Sequence, residues 1–341
     1  MTKSVKYADL ARLAGVSVAT VSRALNNSSD VNAQTKQRIW QIAQDEGYAF
    51  RPNMPVSIKE AARIVSVIRP SAPDGSSLAF DPVISRLMVS IAKASARAGA
   101  DVVLHHASPR NADELEEALV GTRAAGTIVL GQAHLHGALN RIARARGTEP
   151  GVPFVVWGAE LKDQAYPSIG SDDREGGRMA TRHLARLGRR RIAFLGDADS
   201  PSVLQRQDGY VQALEEAGLG FDPSLVIPVS TDAAHAETLM DAILARGMDV
   251  DAIFAGSDTI ALGAILSLDR NGRRVPADVA VVGYGDLESA RYARSALSTV
   301  PLDLERAGEL LVRKVLSARR TTDIVPERLA TKLIVRESCG G

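Results

Sequence analysis

Two rhythms of apolar and polar positions run along this chain. In the first 45 residues, Leu10, Ala11 and Ala14, then Val21, Ala24 and Leu25, fall at three- and four-residue spacings, so each group forms the buried stripe of an amphipathic helix. Gly15 lies between the stripes, where a left-handed glycine ends a helix, and Ser17 with Thr20 behind it makes an N-cap for the next. The spacing predicts two short helices joined by a tight turn. Asn27-Ser28-Ser29-Asp30 then reads as a loop. A third helix is expected from about Ala33 to Glu46, its Ile39, Ile42 and Ala43 closing a miniature core, with Gly47 as the stop. The two prolines of Arg51-Pro52-Asn53-Met54-Pro55-Val56-Ser57 resist regular structure and mark a linker.

From Arg63 the rhythm changes to short apolar runs alternating with helical stretches. Residues 64–68, 100–104, 126–130 and 153–157 are strand-length and rich in β-branched side chains, with helical patterns between them at Val83 to Ala98 and Asp113 to Ala124. Residues 191–196, 251–255 and 279–283 repeat the theme. Strand-helix alternation in two series predicts two α/β lobes, each a doubly wound parallel sheet. Ligands of such sheets bind beyond the carboxyl ends of the strands.

Composition narrows the functional classes. A chain of 341 residues with 45% hydrophobic content is long enough for two or three cores. Its net charge of +1 announces no global basic field, so any nucleic-acid contact must come from a local patch. Residues 1 to 60 carry a modest local excess, Lys3, Lys6, Arg12, Arg23, Lys36, Arg38, Arg51 and Lys59 against Asp9, Asp30, Asp45, Glu46 and Glu60. The single cysteine, Cys339, excludes an intrachain disulfide and fits a reducing compartment. The start of the chain lacks the apolar core of a signal peptide, and no apolar run reaches the roughly 18 residues of a membrane span, so a cytoplasmic protein is expected.

A dinucleotide enzyme is the rival reading of α/β lobes. Gly283-Tyr284-Gly285-Asp286-Leu287-Glu288 puts Glu288 where a phosphate-binding turn has its third glycine, and it follows the last strand of its series. No Gly-Lys-Ser/Thr occurs, and the adjacent His105 and His106 point to opposite faces of a strand with no cysteine or acidic cluster at metal spacing. No enzyme, catalytic residue, cofactor or metal is expected.

The exposed face of the second helix would carry Val18, Ala19, Ser22 and Arg23, a mixture of small, hydroxyl and basic groups suited to a major groove. Helical hairpins packed on other structure are also common, and periodicity alone leaves both roles open. Gly15-Val16-Ser17, Thr20-Val21-Ser22-Arg23 and Leu25-Asn26, followed by Val31, Thr35, Arg38, Ile39, Gly47-Tyr48 and Arg51-Pro52-Asn53, resemble the N-terminal signature of the lactose-repressor (LacI/GalR) family of bacterial transcription factors. The resemblance implies a helix-turn-helix head over residues 1–60 including a hinge. Val18 and Ala19 would make apolar contacts in operator DNA and Arg23 would fork onto guanine; Ser17, Thr20, Ser22 and Asn26 would hold phosphates. In the family the hinge folds on double-stranded operator DNA and wedges an apolar side chain into the minor groove. Here Ala49-Phe50 is inserted, Lys59 stands at the usual wedge position, and Ile58 or Met54 is left for that role.

Residues 61–341 resemble the family's effector domain, itself similar to periplasmic sugar-binding proteins, through Ile169-Gly170-Ser171-Asp172-Asp173, Leu187-Gly188-Arg189, Ser257-Asp258 and Val282-Gly283-Tyr284. The resemblance implies an N-terminal lobe of about 61–165 and 299–325 and a C-terminal lobe of about 166–298 and 326–338. Arg206 occupies a family position for an arginine that grips effector oxygens, as a guanidinium fork can; a solvated surface arginine is the alternative. Asp81 before Pro82 is either a ligand group or an ordinary helix N-cap. Asp286 stands one residue beyond the family's ligand aspartate, and Trp157 either stacks on a sugar ring or sits in the core. Ser257 and Asp258 complete the candidates, Asp258 having a helix cap as its other role. The reading is a homodimeric DNA-binding regulator, a repressor of carbohydrate genes answering to a sugar or sugar acid. A periplasmic-type sugar-binding protein with no regulatory role is the alternative.

Overall fold

The computed structural model describes residues 6–25, 30–45, 63–70, 81–107, 112–120, 124–131, 135–148, 152–230, 232–247 and 249–340. The chain divides into two compact units, residues 1–62 and 63–341.

The first unit holds helices α1 (Tyr7–Ala14), α2 (Val18–Leu25) and α3 (Ala33–Asp45). Their apolar stripes meet as expected: Leu10, Ala11, Ala14, Val21, Ala24, Leu25, Val31, Ile39 and Ala43 form one buried cluster, with Ile42 packed at its side. Gly15 ends α1 at φ 64°, and the Val16 N–H returns to the Ala11 carbonyl at 3.0 Å. This left-handed residue makes the turn short, because only glycine enters that region without a Cβ penalty. The Ser17 Oγ accepts the Thr20 N–H at 3.0 Å, and Asn32 Oδ1 accepts the Thr35 N–H at 2.8 Å, so α2 and α3 each begin on a side-chain cap.

The second unit contains two parallel sheets. The first has the order β11-β5-β4-β3-β1-β2, from β1 (Arg63–Pro70), β2 (Ala100–Ala107), β3 (Gly126–Leu130), β4 (Phe154–Trp157), β5 (Ser168–Ser171) and β11 (Glu327–Leu329). The second runs β10-β9-β8-β6-β7, from β6 (Ile192–Gly196), β7 (Val226–Pro228), β8 (Ala252–Ala255), β9 (Ala280–Gly285) and β10 (Ser298–Pro301). Alternation along the strands sends successive side chains to opposite faces. Val65, Val67, Ile128, Leu130, Val155 and Trp157 join the cluster under α4 (Pro82–Arg97) and α12 (Leu304–Ser317), whereas Ile68, Val129, Phe154 and Val156 meet α5 (Ala112–Val120) and α6 (His136–Arg146). In the second sheet, Phe194, Phe254 and Val282 face α7 (Asp173–Arg186) and α8 (Pro201–Glu216), and Leu195, Ile253 and Val281 face α9 (Ala233–Ala245) and α10 (Asp258–Arg270). A short helix, α11 (Glu288–Arg291), follows β9.

Strand pairing corrects the expected lobe limits. β5, assigned by resemblance to the C-terminal lobe, pairs with β4 and lies in the first sheet; β10 lies in the second, beside β9; β11 returns to the first, beside β5. The chain therefore passes between lobes after β5, after β10 and after β11. These strands escape a hydropathy reading because Ser-Ile-Gly-Ser, Ser-Thr-Val-Pro and Glu-Arg-Leu carry too few apolar residues and pair only at sheet edges or lobe junctions. The strand-like Lys332 to Val335 contributes a single antiparallel bridge, Ile334 to Thr299.

α7 and α8 cross in close contact. A Cβ on Gly177 would overlap the Arg206 carbonyl, and one on Gly209 the Arg174 carbonyl, so two glycines set the helix separation and with it the position of Arg206.

Candidate functional site

In the first unit the face expected for DNA contact is open. Val18 is 48% exposed, Ala19 and Arg23 are exposed, and Ser22 is half-buried. The Ser17 and Thr20 hydroxyls lie 2.8 Å apart, so both belong to the cap of α2 and mark the N-terminal end of that helix, where free N–H groups favour anions. Asn26, Ile58, Met54 and the rest of the hinge lie outside the described residues.

Four of the six effector candidates of the second unit, Arg206, Ser257, Asp258 and Asp286, lie at the carboxyl ends of β8 and β9, and all four are already bonded within the protein. Arg206 is buried on α8; its Nε donates to Asp173 Oδ1 at 2.8 Å, its Nη1 to the Gly256 carbonyl at 2.6 Å, and its guanidinium lies 3.7 Å over the Tyr284 ring. Burial disfavours the cation, but the Asp173 carboxylate outweighs it and holds the guanidinium pKa above its ordinary value. Tyr284 in turn shares a 3.2 Å hydrogen bond with Ser171, and burial pushes its phenol pKa up. Arg206 is thus neither the solvated arginine nor an unengaged fork waiting for ligand.

Asp286, in the left-handed region at φ 49°, accepts from Arg336 Nη2 at 2.5 Å and Arg291 Nη2 at 3.3 Å, while its carbonyl accepts from Arg86 of α4 at 2.8 Å. Burial works to raise its pKa, and the two guanidiniums prevail and hold it below the usual carboxylate range. Asp258 is fully buried; Thr299 Oγ1 donates to its Oδ1 at 2.6 Å and the Leu287 N–H to its Oδ2 at 2.7 Å. Desolvation lifts its pKa to about 6. Ser257 caps α10 by accepting the Ile260 N–H at 3.2 Å.

The remaining two have structural roles. Asp81 Oδ1 accepts the Val83 and Ile84 N–H groups at 2.9 and 3.2 Å as the N-cap of α4, with Pro82 at the first helical position. Trp157 packs in the central apolar cluster. Sequence reasoning missed Asp173, Tyr284, Arg336 and Arg86, which complete these networks. Nothing local separates Asp173 from its neighbour Asp172, which caps α7; only the fold brings it to Arg206. Among the described residues no group of His, Cys, Asp or Glu is arranged to hold a metal, and no helix is long and apolar enough to cross a membrane.

An open helix-turn-helix attached to a two-lobed α/β unit with a polar cluster at its strand ends defines a ligand-responsive DNA-binding protein. Residues 7–53 match the family of bacterial regulatory proteins of the lacI type, and residues 181–339 match the periplasmic binding protein-like domain. The chain is 32% identical over 337 residues to the HTH-type transcriptional regulator CelR of Thermobifida fusca, covering 96% of each chain. It is 27% identical to the probable HTH-type transcriptional repressor ExuR of Bacillus subtilis, covering 98% of each. Among solved structures it resembles a complex of transcriptional regulator CelR with cellobiose, at TM-score 0.68, 30% identity and coverage of 98% and 99%. The lac repressor dimer bound to operator and an anti-inducer shares the fold, at TM-score 0.72 and 24% identity, each chain covered to 99%. The chain belongs to the lacI family of bacterial regulatory proteins. It is a DNA-binding transcriptional regulator, and the helix-turn-helix sets it apart from a binding protein without regulatory role. The relatives named are transcription regulators rather than enzymes.

Proposed function

We propose that this protein is a homodimeric repressor of carbohydrate genes, acting in the cytoplasm, whose hold on a near-palindromic operator is set by a sugar or sugar acid. The observation that carries this reading is the likeness to CelR, at 32% identity to the Thermobifida fusca regulator and 30% to a solved CelR–cellobiose complex. One short recognition helix reads only a few base pairs, and two-fold symmetry doubles the site. On each half-site Arg23 forks onto a guanine, Val18 and Ala19 meet thymine methyls, and the capped start of α2 with Ser17, Thr20 and Ser22 holds phosphates. Asn26 and an Ile58 wedge complete the head.

The effector group we favour is Arg206, Ser257 and Asp286. Ligand hydroxyls there would exchange with internal partners such as Asp173 and Arg336, which links binding to lobe movement. Asp81 as the cap of α4, Trp157 in the apolar core and Asp258 through Thr299 and Leu287 would support the site without gripping ligand. The test is fluorescence anisotropy on operator DNA selected from random sequence, with cellobiose, monosaccharides and uronic acids added in turn. A sugar that changes operator affinity by about 5- to 150-fold supports the proposal. Specific binding that no carbohydrate alters would overturn the effector assignment, and equal binding to selected and scrambled DNA would overturn the operator assignment.

A further inference from the structure

On the C-terminal lobe a groove of about 390 Å³ runs between the C-terminal halves of α7 and α8, away from the strand ends. Arginine recurs every four residues on α7, at Arg174, Arg178, Arg182 and Arg186. The first two are neutralised: Arg174 pairs with Asp208 at 2.7 Å, and Arg178 with Glu175 at 2.7 Å and Glu216 at 3.1 Å. Arg182 and Arg186 line the groove together with Arg190, and among the described residues none of these three side chains makes an ion pair or hydrogen bond. Glu216, the groove's one acid, is already spent on Arg178 through Oε2 and on Gln212 through Oε1 at 2.9 Å.

The groove is also built. Asp251 holds the Arg190 and Arg191 N–H groups at 2.7 and 3.0 Å, and Arg191 Nε reaches the Asp249 carbonyl at 2.6 Å, which fixes the backbone from which the Arg190 side chain projects. Ala185, Ala213 and Ala217 give it a small-residue apolar lining. The C-terminal end of α7 attracts a cation in its last turn, which accounts for Arg186 but not for Arg182 one turn earlier or Arg190 beyond the helix. Three guanidiniums on one concavity outnumber the acids beside them, Glu216 in the lining and Glu175 acting on Arg182 through space, both of which pair directly with Arg178. Such a set fits an oxyanion, and the planar forks match phosphate oxygens in particular. The volume falls within the range of small-molecule sites, roughly 300–1,000 Å³, with the alanines beside the charged end.

We propose that this groove binds a small molecule through a phosphoryl group, as free phosphate or as a phosphomonoester, giving the protein a second ligand site apart from the effector group. The test uses the full chain in calorimetry and thermal shift with inorganic phosphate, glucose 6-phosphate, glucose and sodium chloride at matched ionic strength. Phosphate or glucose 6-phosphate should bind and raise Tm beyond the chloride control. Arg182→Ala/Arg186→Ala should weaken that binding by at least about tenfold, as should Arg190→Gln, whose exposed position spares the fold. Arg313→Ala, exposed on the other lobe, should leave it intact, and any shift caused by glucose should survive in all variants. Equal affinity for both phosphates assigns the site to the free ion, and tighter glucose 6-phosphate binding to a phosphomonoester. The proposal is overturned if neither exceeds chloride, if folded groove variants bind like wild type, or if an acidic peptide such as oligoglutamate binds more tightly than either phosphate.

Discussion

Arg206 and Asp173 form a buried ion pair at 2.8 Å, joining α8 to the start of α7 inside the C-terminal lobe. Sequence alone suggests that Arg206→Ala removes a ligand contact and spares the fold; the structure makes this arginine part of the core. Removing one member of a buried pair leaves an uncompensated charge, at a cost of about 3–5 kcal/mol. Both Arg206→Ala and Asp173→Ala should therefore lower the denaturant midpoint well before any ligand is added. Wild-type stability in either variant would show that the pair contributes little to the fold.

The α7–α8 crossing leaves no room at its glycines. Gly209→Ala should cost about 1–3 kcal/mol, because the added methyl has to push the Arg174 backbone away. The same displacement moves Arg206, less than one helical turn distant, so effector affinity should fall with stability. Calorimetry alongside urea unfolding distinguishes this from a purely local defect, which would leave the affinity unchanged.

Asp258 should make stability depend on pH. Its folded pKa of about 6 lies above the unfolded value near 3.8, so the folded state holds the extra proton between those limits. Stability from this group is therefore fully present below about pH 4 and is lost as pH rises to about 6; a shift of roughly two units corresponds to about 3 kcal/mol. Asp258→Asn can keep both hydrogen bonds, with Oδ1 accepting from Leu287 and Nδ2 donating to Thr299. The stability of wild type minus that of Asp258→Asn should fall across pH 4–6 and be flat above it. A difference independent of pH would contradict the assignment.

In the first unit, Ser17→Ala removes the side-chain acceptor at the start of α2 and should cost about 1 kcal/mol of stability, read as a lower thermal midpoint. Arg23→Ala should leave the fold intact and weaken operator binding by roughly 1–3 kcal/mol, with relaxed preference at one base pair per half-site. An equal loss on scrambled DNA would assign Arg23 to phosphate.

The three N-terminal helices and seven of the eleven strands were legible because their apolar residues repeat at the period of the element and pack on one face. β5, β7, β10 and β11 were not, since strands of three or four residues carry too little pattern and owe their pairing to remote neighbours. The site was legible only in part. Ser17 shows its role locally, as a cap must, and Asp81 before Pro82 announces the alternative that the structure adopts. Arg206 did not disclose its burial, because the groups that surround it, Asp173, Gly256 and Tyr284, come from three separate stretches of chain.

The placement of β11 also has a consequence during synthesis. This strand completes the first sheet beside β5, yet it is translated only after the whole second sheet. Until it leaves the ribosome, the Ile169–Ser171 edge has no partner, and an unpaired edge strand is a template for joining another chain. The nascent N-terminal lobe is thus exposed for most of its time on the ribosome. Stop codons or stalls before Glu327 should yield aggregates and chaperone-bound chains rather than a smaller working regulator.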